Sequence, residues 1–284
     1  MRERLNKGIK PTALRAPNSV VPCQCVVPVG EACLLVTARR LIPMPLGHPG
    51  HGPSPKESNM PQDINILSLP LPLRMGRVNC YLIQAAAGYV LIDTGGANAR
   101  KQLHRELESA GCMPGSLKLV LLTHGDFDHI GNAAYLRSAF GAKIAMHCDD
   151  SGMAERGDMF VNRKKPNILI RALVPIFMGL GTSNRFIPDV LLDDGYDLSQ
   201  HGLEAKVICL PGHSRGSIGI LTASGELFCG DLFENTRGPT LNSLIDDSAA
   251  ANASVANLKD LKIRMIYPGH GEPFAMELLA KDMP

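Results

Sequence analysis

The stretch LLTHGDFDHIGN, residues 121–132, packs His124, Asp126, Asp128 and His129 into six residues directly behind an apolar run. The run LKLVLLT (117–123) is nearly all apolar, as a strand covered on both faces should be. Behind the cluster, NAAYLRSAFG places Ala133, Leu136 and Phe140 at helical spacing and stops at a glycine. The four polar residues therefore belong to a loop between a buried strand and a helix, where a rigid edge projects several donors together.

The same reading extends in both directions. INILSLPL, RVNCYLIQ and GYVLID are expected strands, the first weakened by Pro70 and the last ending in the turn DTGG. ANARKQLHRELESAG then carries Leu103, Leu107 and Ala110 on one helical face, with Gly111 as its stop. AKIAMH, AKVICLPG, SIGILTA, ELFCGD and IRMIY are further strands; a last helix is expected near 249–260, and PGHGEPF as a loop. Residues 149–188 are the least regular part. Within them ILIRALVPIFMGL (168–180) reads as a buried helix kinked at Pro175, with 160–188 as an active-site lid in the alternative. Strands and helices alternate in two series, which predicts one α/β domain over 60–284 with two packed sheets and helices on the outer faces.

A composition of 45% apolar residues suffices for a sizeable core. The net charge of +2, from 29 basic and 27 acidic side chains spread along the chain, offers no basic face for nucleic acid or membrane. No run of 18 apolar residues exists, so no membrane span is expected. Eight cysteines are few for this length, and Cys23 and Cys25 lack a second pair at zinc-finger spacing. Reduced thiols and a cytoplasmic protein follow. Residues 1–59 differ from the rest: ten of the 21 prolines fall by Pro61, and basic residues outnumber acidic ones eight to three. They are expected to form a poorly ordered arm, with a transit peptide or an extension upstream of a start at Met60 as alternatives.

Three more potential ligands follow apolar strands: His213 in LPGHSRGS, Asp231 in LFCGDLF and His270 in YPGHGEP. Four strand ends converging on one edge would gather seven N and O donors, more than one tetrahedral zinc takes and suited to two metal ions. With LIDTGG, THGDFDHIGN, PGHS, CGD and PGHG in this order, the chain resembles the metallo-β-lactamase superfamily from about residue 64 to about 275. The resemblance implies an αββα sandwich with the metals at one edge. It implies that His124, Asp126 and His213 bind the first ion, that Asp128, His129 and His270 bind the second, and that Asp231 bridges them. A hydroxide between the ions would attack, oriented by Asp128. Asp93 reads either as a support for the ligand loop or as a turn aspartate after a strand.

The family's usual cluster is H-x-H-x-D-H, whereas this one is H-x-D-x-D-H. Asp126 adds a negative charge and a harder oxygen donor, which keeps zinc first but brings iron or manganese into range. The expected activity is hydrolysis of a small ester, lactone or thioester. A di-iron oxidoreductase related to the flavodiiron core and a metal-bound module without turnover are the alternatives. A glyoxalase II-like thioesterase would be expected to carry a helical extension after His270, and a β-lactamase usually has Cys where Asp231 stands, so both are disfavoured. His147, His104, His201, His48 and His51 are read as having no part in the site, and Arg215 and Ser217 as an exposed loop pair rather than substrate contacts.

Overall fold

A computed structural model describes residues 63–161, 163 and 181–279. The proline-rich arm and the apolar segment 168–180 lie outside the described residues.

Three strands, β1 (Ile64–Pro70), β2 (Arg77–Ala85) and β3 (Gly88–Ile92), form an antiparallel meander. Pro70 closes β1 at the sheet's edge, where its missing N–H breaks no ladder. Helix α1 (Arg100–Ser109) then carries the chain to β4 (Leu117–Leu121), which pairs with β3 in parallel. A single turn, α2 (Phe127–Ile130), and α3 (Ala133–Phe140) lead to β5 (Lys143–His147). Beyond α4 (Cys148–Arg156), β6 (Val190–Leu192) completes a six-stranded sheet in the order β1 to β6.

The second sheet collects β7 (Ala205–Cys209), β8 (Ile218–Thr222), β9 (Glu226–Asn235), β10 (Thr240–Leu241), β11 (Met265–Gly271) and β12 (Phe274–Ala275). Its order is β12-β11-β9-β8-β7, with β10 on β9. Helix α5 (Ser248–Leu258) starts where Asp247 accepts hydrogen bonds from the N–H groups of Ala249 and Ala250, a side-chain N-cap.

The period of two along the strands decides what each face meets. Val90, Ile92, Leu119 and Leu121 pack between the sheets against Val207, Ile218, Ile220 and Phe228. Their neighbours Leu91 and Val120 point the other way, onto Leu103 and Leu107 of α1 and Leu136 and Phe140 of α3. Leu227 and Cys229 meet Ala251, Val255 and Leu258 of α5 on the far side of the second sheet. The fold is thus an αββα sandwich with three apolar layers, each fully buried Leu, Ile or Phe contributing about 1.5–3 kcal/mol.

The structure differs from the sequence reading at several points. The strand expected to end at Tyr267 runs on through His270 to Gly271, because the segment pairs with β9 across two register shifts. Strand β9 likewise continues past Asp231, and Gly230, at φ +52°, bends it where a Cβ would meet Thr123 Oγ1 at 2.6 Å. The stretch read as irregular contains α4, whose N-cap is His147 Nδ1 accepting from Asp149 N–H. Ser217 is buried rather than exposed and bonds Ser214, whereas Arg215 is exposed. His104 is half-buried against Phe140, with Nδ1 2.5 Å from Tyr135 Oη.

Candidate metal centre

The loop after β4 carries His124 and Asp126, and α2 carries Asp128 and His129; the turn after β7 carries His213, and β9 and β11 carry Asp231 and His270. The fold brings all seven together at one edge of the two sheets. Asp126 Oδ2 lies 3.0 Å from His213 Nε2 and 3.7 Å from His124 Nε2. His270 Nε2 lies 3.4 Å from Asp128 Oδ2 and 3.4 Å from Asp231 Oδ2. His129 Nε2 lies 3.4 Å from Asp231 Oδ1 and 4.0 Å from Asp128 Oδ2. Asp231 therefore stands between the group His124, Asp126, His213 and the group Asp128, His129, His270.

The outer nitrogens decide the tautomers. Each histidine places Nδ1 against an oxygen: Thr123 Oγ1 for His124, Asp93 Oδ2 for His129, the Leu244 carbonyl for His213 and the Arg77 carbonyl for His270. A carbonyl or carboxylate can only accept, and the Thr123 hydroxyl already donates to Asp93 Oδ2, so Nδ1 donates in all four. In the neutral imidazoles every Nε2 is then a lone pair turned inward. Four imidazole lone pairs face three carboxylates with no donor between them. His124 Nε2, His129 Nε2 and Asp231 Oδ1 are buried without a hydrogen-bond partner. Such a set of buried acceptors fits cations, and donor identities of nitrogen and carboxylate oxygen suit first-row divalent metals.

The three carboxylates draw positive charge to these nitrogens, whether as a proton or as a metal ion. Burial disfavours a charged imidazole at His129, yet Asp231, Asp93 and Asp128 raise it to about 9. At His270 burial is again outweighed, chiefly by Asp231 and Asp128, which push it up to about 12. Burial opposes ionisation of Asp126, but Arg163, His124 and His213 hold its carboxyl well below the usual range. Asp231, equally buried, is held well below it by His270, His129 and His213.

Residues that are not themselves candidate ligands hold the ligands in place. Asp93, left between two readings by the sequence, sits at φ +58° and accepts from Thr123 N–H at 2.9 Å through Oδ1. Its Oδ2 takes Thr123 Oγ1–H and His129 Nδ1–H, each at 2.8 Å, so it supports two histidines. Asp150, fully buried on α4, accepts from Gly125 N–H at 2.9 Å, Ser214 Oγ–H at 2.6 Å and Gly216 N–H at 2.9 Å, tying the two ligand loops together. Arg163 meets Asp126 Oδ1 at 2.5 Å. From the first sheet, Asn79 Nδ2 donates to the Pro268 and Gly271 carbonyls and Tyr81 Oη to the Pro268 carbonyl, fixing the segment that carries His270. His147 is turned away, its Nδ1 engaged at the α4 cap.

A family model described as the metallo-beta-lactamase superfamily matches residues 73–270. The chain belongs to that superfamily. A hydroxyacylglutathione hydrolase, GloC, of Haemophilus influenzae is 32% identical over 174 residues, covering 60% of this chain and 74% of the relative. A beta-lactamase-like protein 2 homolog of Caenorhabditis elegans is 24% identical over 206 residues, 71% of this chain, and the match spans only 58% of that relative's length. Among solved structures, TTHA1623 in a di-iron-bound form superposes with a TM-score of 0.57 at 29% identity, covering 76% of this chain and 98% of that one. Superfamily membership implies divalent metal binding and a hydrolase lineage. No helix among the described residues is long and apolar enough to cross a membrane.

Proposed function

We propose that the chain is a binuclear metal-dependent hydrolase of a small ester, lactone or thioester substrate. The observation that carries this reading is the set of four inward Nε2 lone pairs facing three carboxylates, each imidazole fixed from behind by an oxygen. His124, Asp126 and His213 would hold one ion and Asp128, His129 and His270 the other, with Asp231 shared. Bound there, a pair of divalent cations would make water nucleophilic at neutral pH and polarise the bond under attack.

The chain's own residues supply orientation and proton handling. Asp128 and His270 are the most exposed of the seven side chains, at 17% and 16%, so this is the side from which a substrate approaches. Burial works against ionisation of Asp128, but His129 and His270 lower its pKa, so the carboxylate is available to accept a proton from the attacking water and return it to the leaving group. Asp93 and the Leu244 and Arg77 carbonyls keep the imidazoles from rotating or changing tautomer.

Likeness to the Haemophilus influenzae relative favours a thioester among the three bond types, despite the expectation that such an enzyme would need a helical extension. Zinc is the proposed metal, with iron or manganese admitted by the oxygen donor at Asp126 and by the di-iron form of TTHA1623. The reading includes a cytoplasmic location, which rests on the cysteine pattern.

The test is metal analysis of protein purified without added metal, together with turnover of an acylated thiol, a lactone and an aryl ester. Two equivalents of metal with cleavage of one of these supports the reading. Two irons with oxygen consumption and no cleavage would assign the chain to oxidoreductase chemistry instead.

A further inference from the structure

We propose that Arg163 is the positioning residue that allows Asp126 to stand where the family usually has histidine. It occupies one carboxylate oxygen, balances the added charge and leaves a single oxygen for the first ion. The proposal rests on the metal-centre reading above.

The Arg163 side chain is 7% exposed, and its Nη1 lies 2.5 Å from Asp126 Oδ1. With that oxygen engaged, Asp126 turns Oδ2 alone toward His213 Nε2 and His124 Nε2. One oxygen aimed inward copies the single donor atom of an imidazole, whereas an unrestrained carboxylate can chelate through both. The same guanidinium donates through Nη2 to the His213 carbonyl at 3.1 Å, so it spans two of the three ligands in this group. Its Nε is 2.8 Å from Asp246 Oδ2. Asp246 lies two residues beyond Leu244, whose carbonyl fixes His213 Nδ1.

Charge leads to the same conclusion. Replacing a neutral imidazole by a carboxylate adds one negative charge to the first group, and a buried guanidinium in contact with it returns the sum to that of a histidine ligand. A carboxylate and an arginine at these two positions thus form one unit. Exchanging Asp126 alone leaves the guanidinium with only the partly exposed Asp246 as its counter-charge beside the ion, exchanging Arg163 alone leaves Asp126 without its cation, and exchanging both creates neither mismatch.

The experiment measures zinc and manganese binding by equilibrium dialysis and mass spectrometry on the full chain and on Asp126→His, Arg163→Met and the double variant, with folding checked by circular dichroism. For Asp126→His, which leaves the guanidinium facing a dication, affinity for one of the two zinc ions is expected to fall about tenfold or more. The double variant should return to within about threefold of the parent chain. Arg163→Met, which keeps Asp126 and frees both its oxygens, should lower the preference for zinc over manganese by about tenfold, since extra oxygen donors favour the harder ion. A double variant no better than Asp126→His, or an Asp126→His chain that binds two zinc ions as tightly as the parent, overturns the proposal. Should Asp126→His not fold, an unchanged zinc preference in Arg163→Met overturns it alone. A parent chain that binds no metal removes the metal-centre reading itself, whereas a parent with two ions and no coupling removes only the role of Arg163.

Discussion

Asp93 Oδ2 receives the Nδ1–H of His129 at 2.8 Å, from a residue at φ +58° that precedes the ligand loop by about thirty positions. Asparagine tolerates the left-handed conformation, so Asp93→Asn removes the charge with little backbone cost. The variant is expected to fold and to lose about 10–100-fold in metal affinity, because His129 loses both its anchor and its basicity. Equilibrium dialysis measures this; an unchanged affinity would reduce Asp93 to a turn residue.

Asp231 lies between the two groups of donors. Asp231→Ala should therefore lose metal and turnover together rather than one before the other. Metal content and hydrolysis measured on the same preparation check this, and a metal-replete, active variant would show that the carboxylate is not shared.

Gly269 has no room for a side chain. A Cβ there would stand 2.2 Å from Asp231 Oδ1 and 2.7 Å from His129 Cε1. Gly269→Ala must displace the shared carboxylate and a donor of the second group, so the variant is expected to stay folded while its metal stoichiometry falls below that of the parent. Elemental analysis beside circular dichroism separates the two effects.

Asp150 accepts three hydrogen bonds while fully buried. Asp150→Ala leaves the Gly125 and Gly216 N–H groups unpaired and should cost about 3 kcal/mol of stability. Denaturant melts of the chelated chain measure this without the contribution of metal. Asp150→Asn should recover little, since its amide turns a second donor on one of the three.

Burial, with Asp194, Asp193 and Asp149 close by, pushes the Cys209 thiol up to about 12. An unfolded thiol titrates near about 8.5, so above that pH the folded chain keeps a proton that the unfolded chain releases. The resulting contribution to stability is whole below about 8.5 and is lost as pH rises through about 12. At pH 8 the half-buried Cys209 should react with iodoacetamide at least about a hundredfold more slowly than in guanidinium. Peptide mass spectrometry follows the modification; equal rates would contradict the shift.

Residues 124–129 could be recognised because four donors crowd one loop behind an apolar strand, and His213, Asp231 and His270 because each follows its own apolar run. The alternation of Leu119, Val120 and Leu121 likewise carries the two-sided burial of β4 in the chain itself. What could not be read acts only through distant partners. Arg163 stands in an irregular stretch with no motif, and its relation to Asp126 exists only after folding. Asp150 is one of two adjacent acids in the sequence, and only the folding of α4 brings it to both ligand loops. Helix α4 has no clear signature in the sequence, because CDDSGMAER has few apolar residues and its cap is a histidine ring.

The clamp of Asn79 and Tyr81 on the Pro268 segment carries a consequence for biogenesis. The N-terminal sheet, with His124 to His129, leaves the ribosome long before β11. Four of the seven donors are therefore presented early, and the last is seated only when β11 docks on β2. Loading with ions is then an event of the finished fold rather than a nucleus for it. The chain should collapse and pair its strands at the same rate in chelator as in zinc, with the ions slowing only its unfolding.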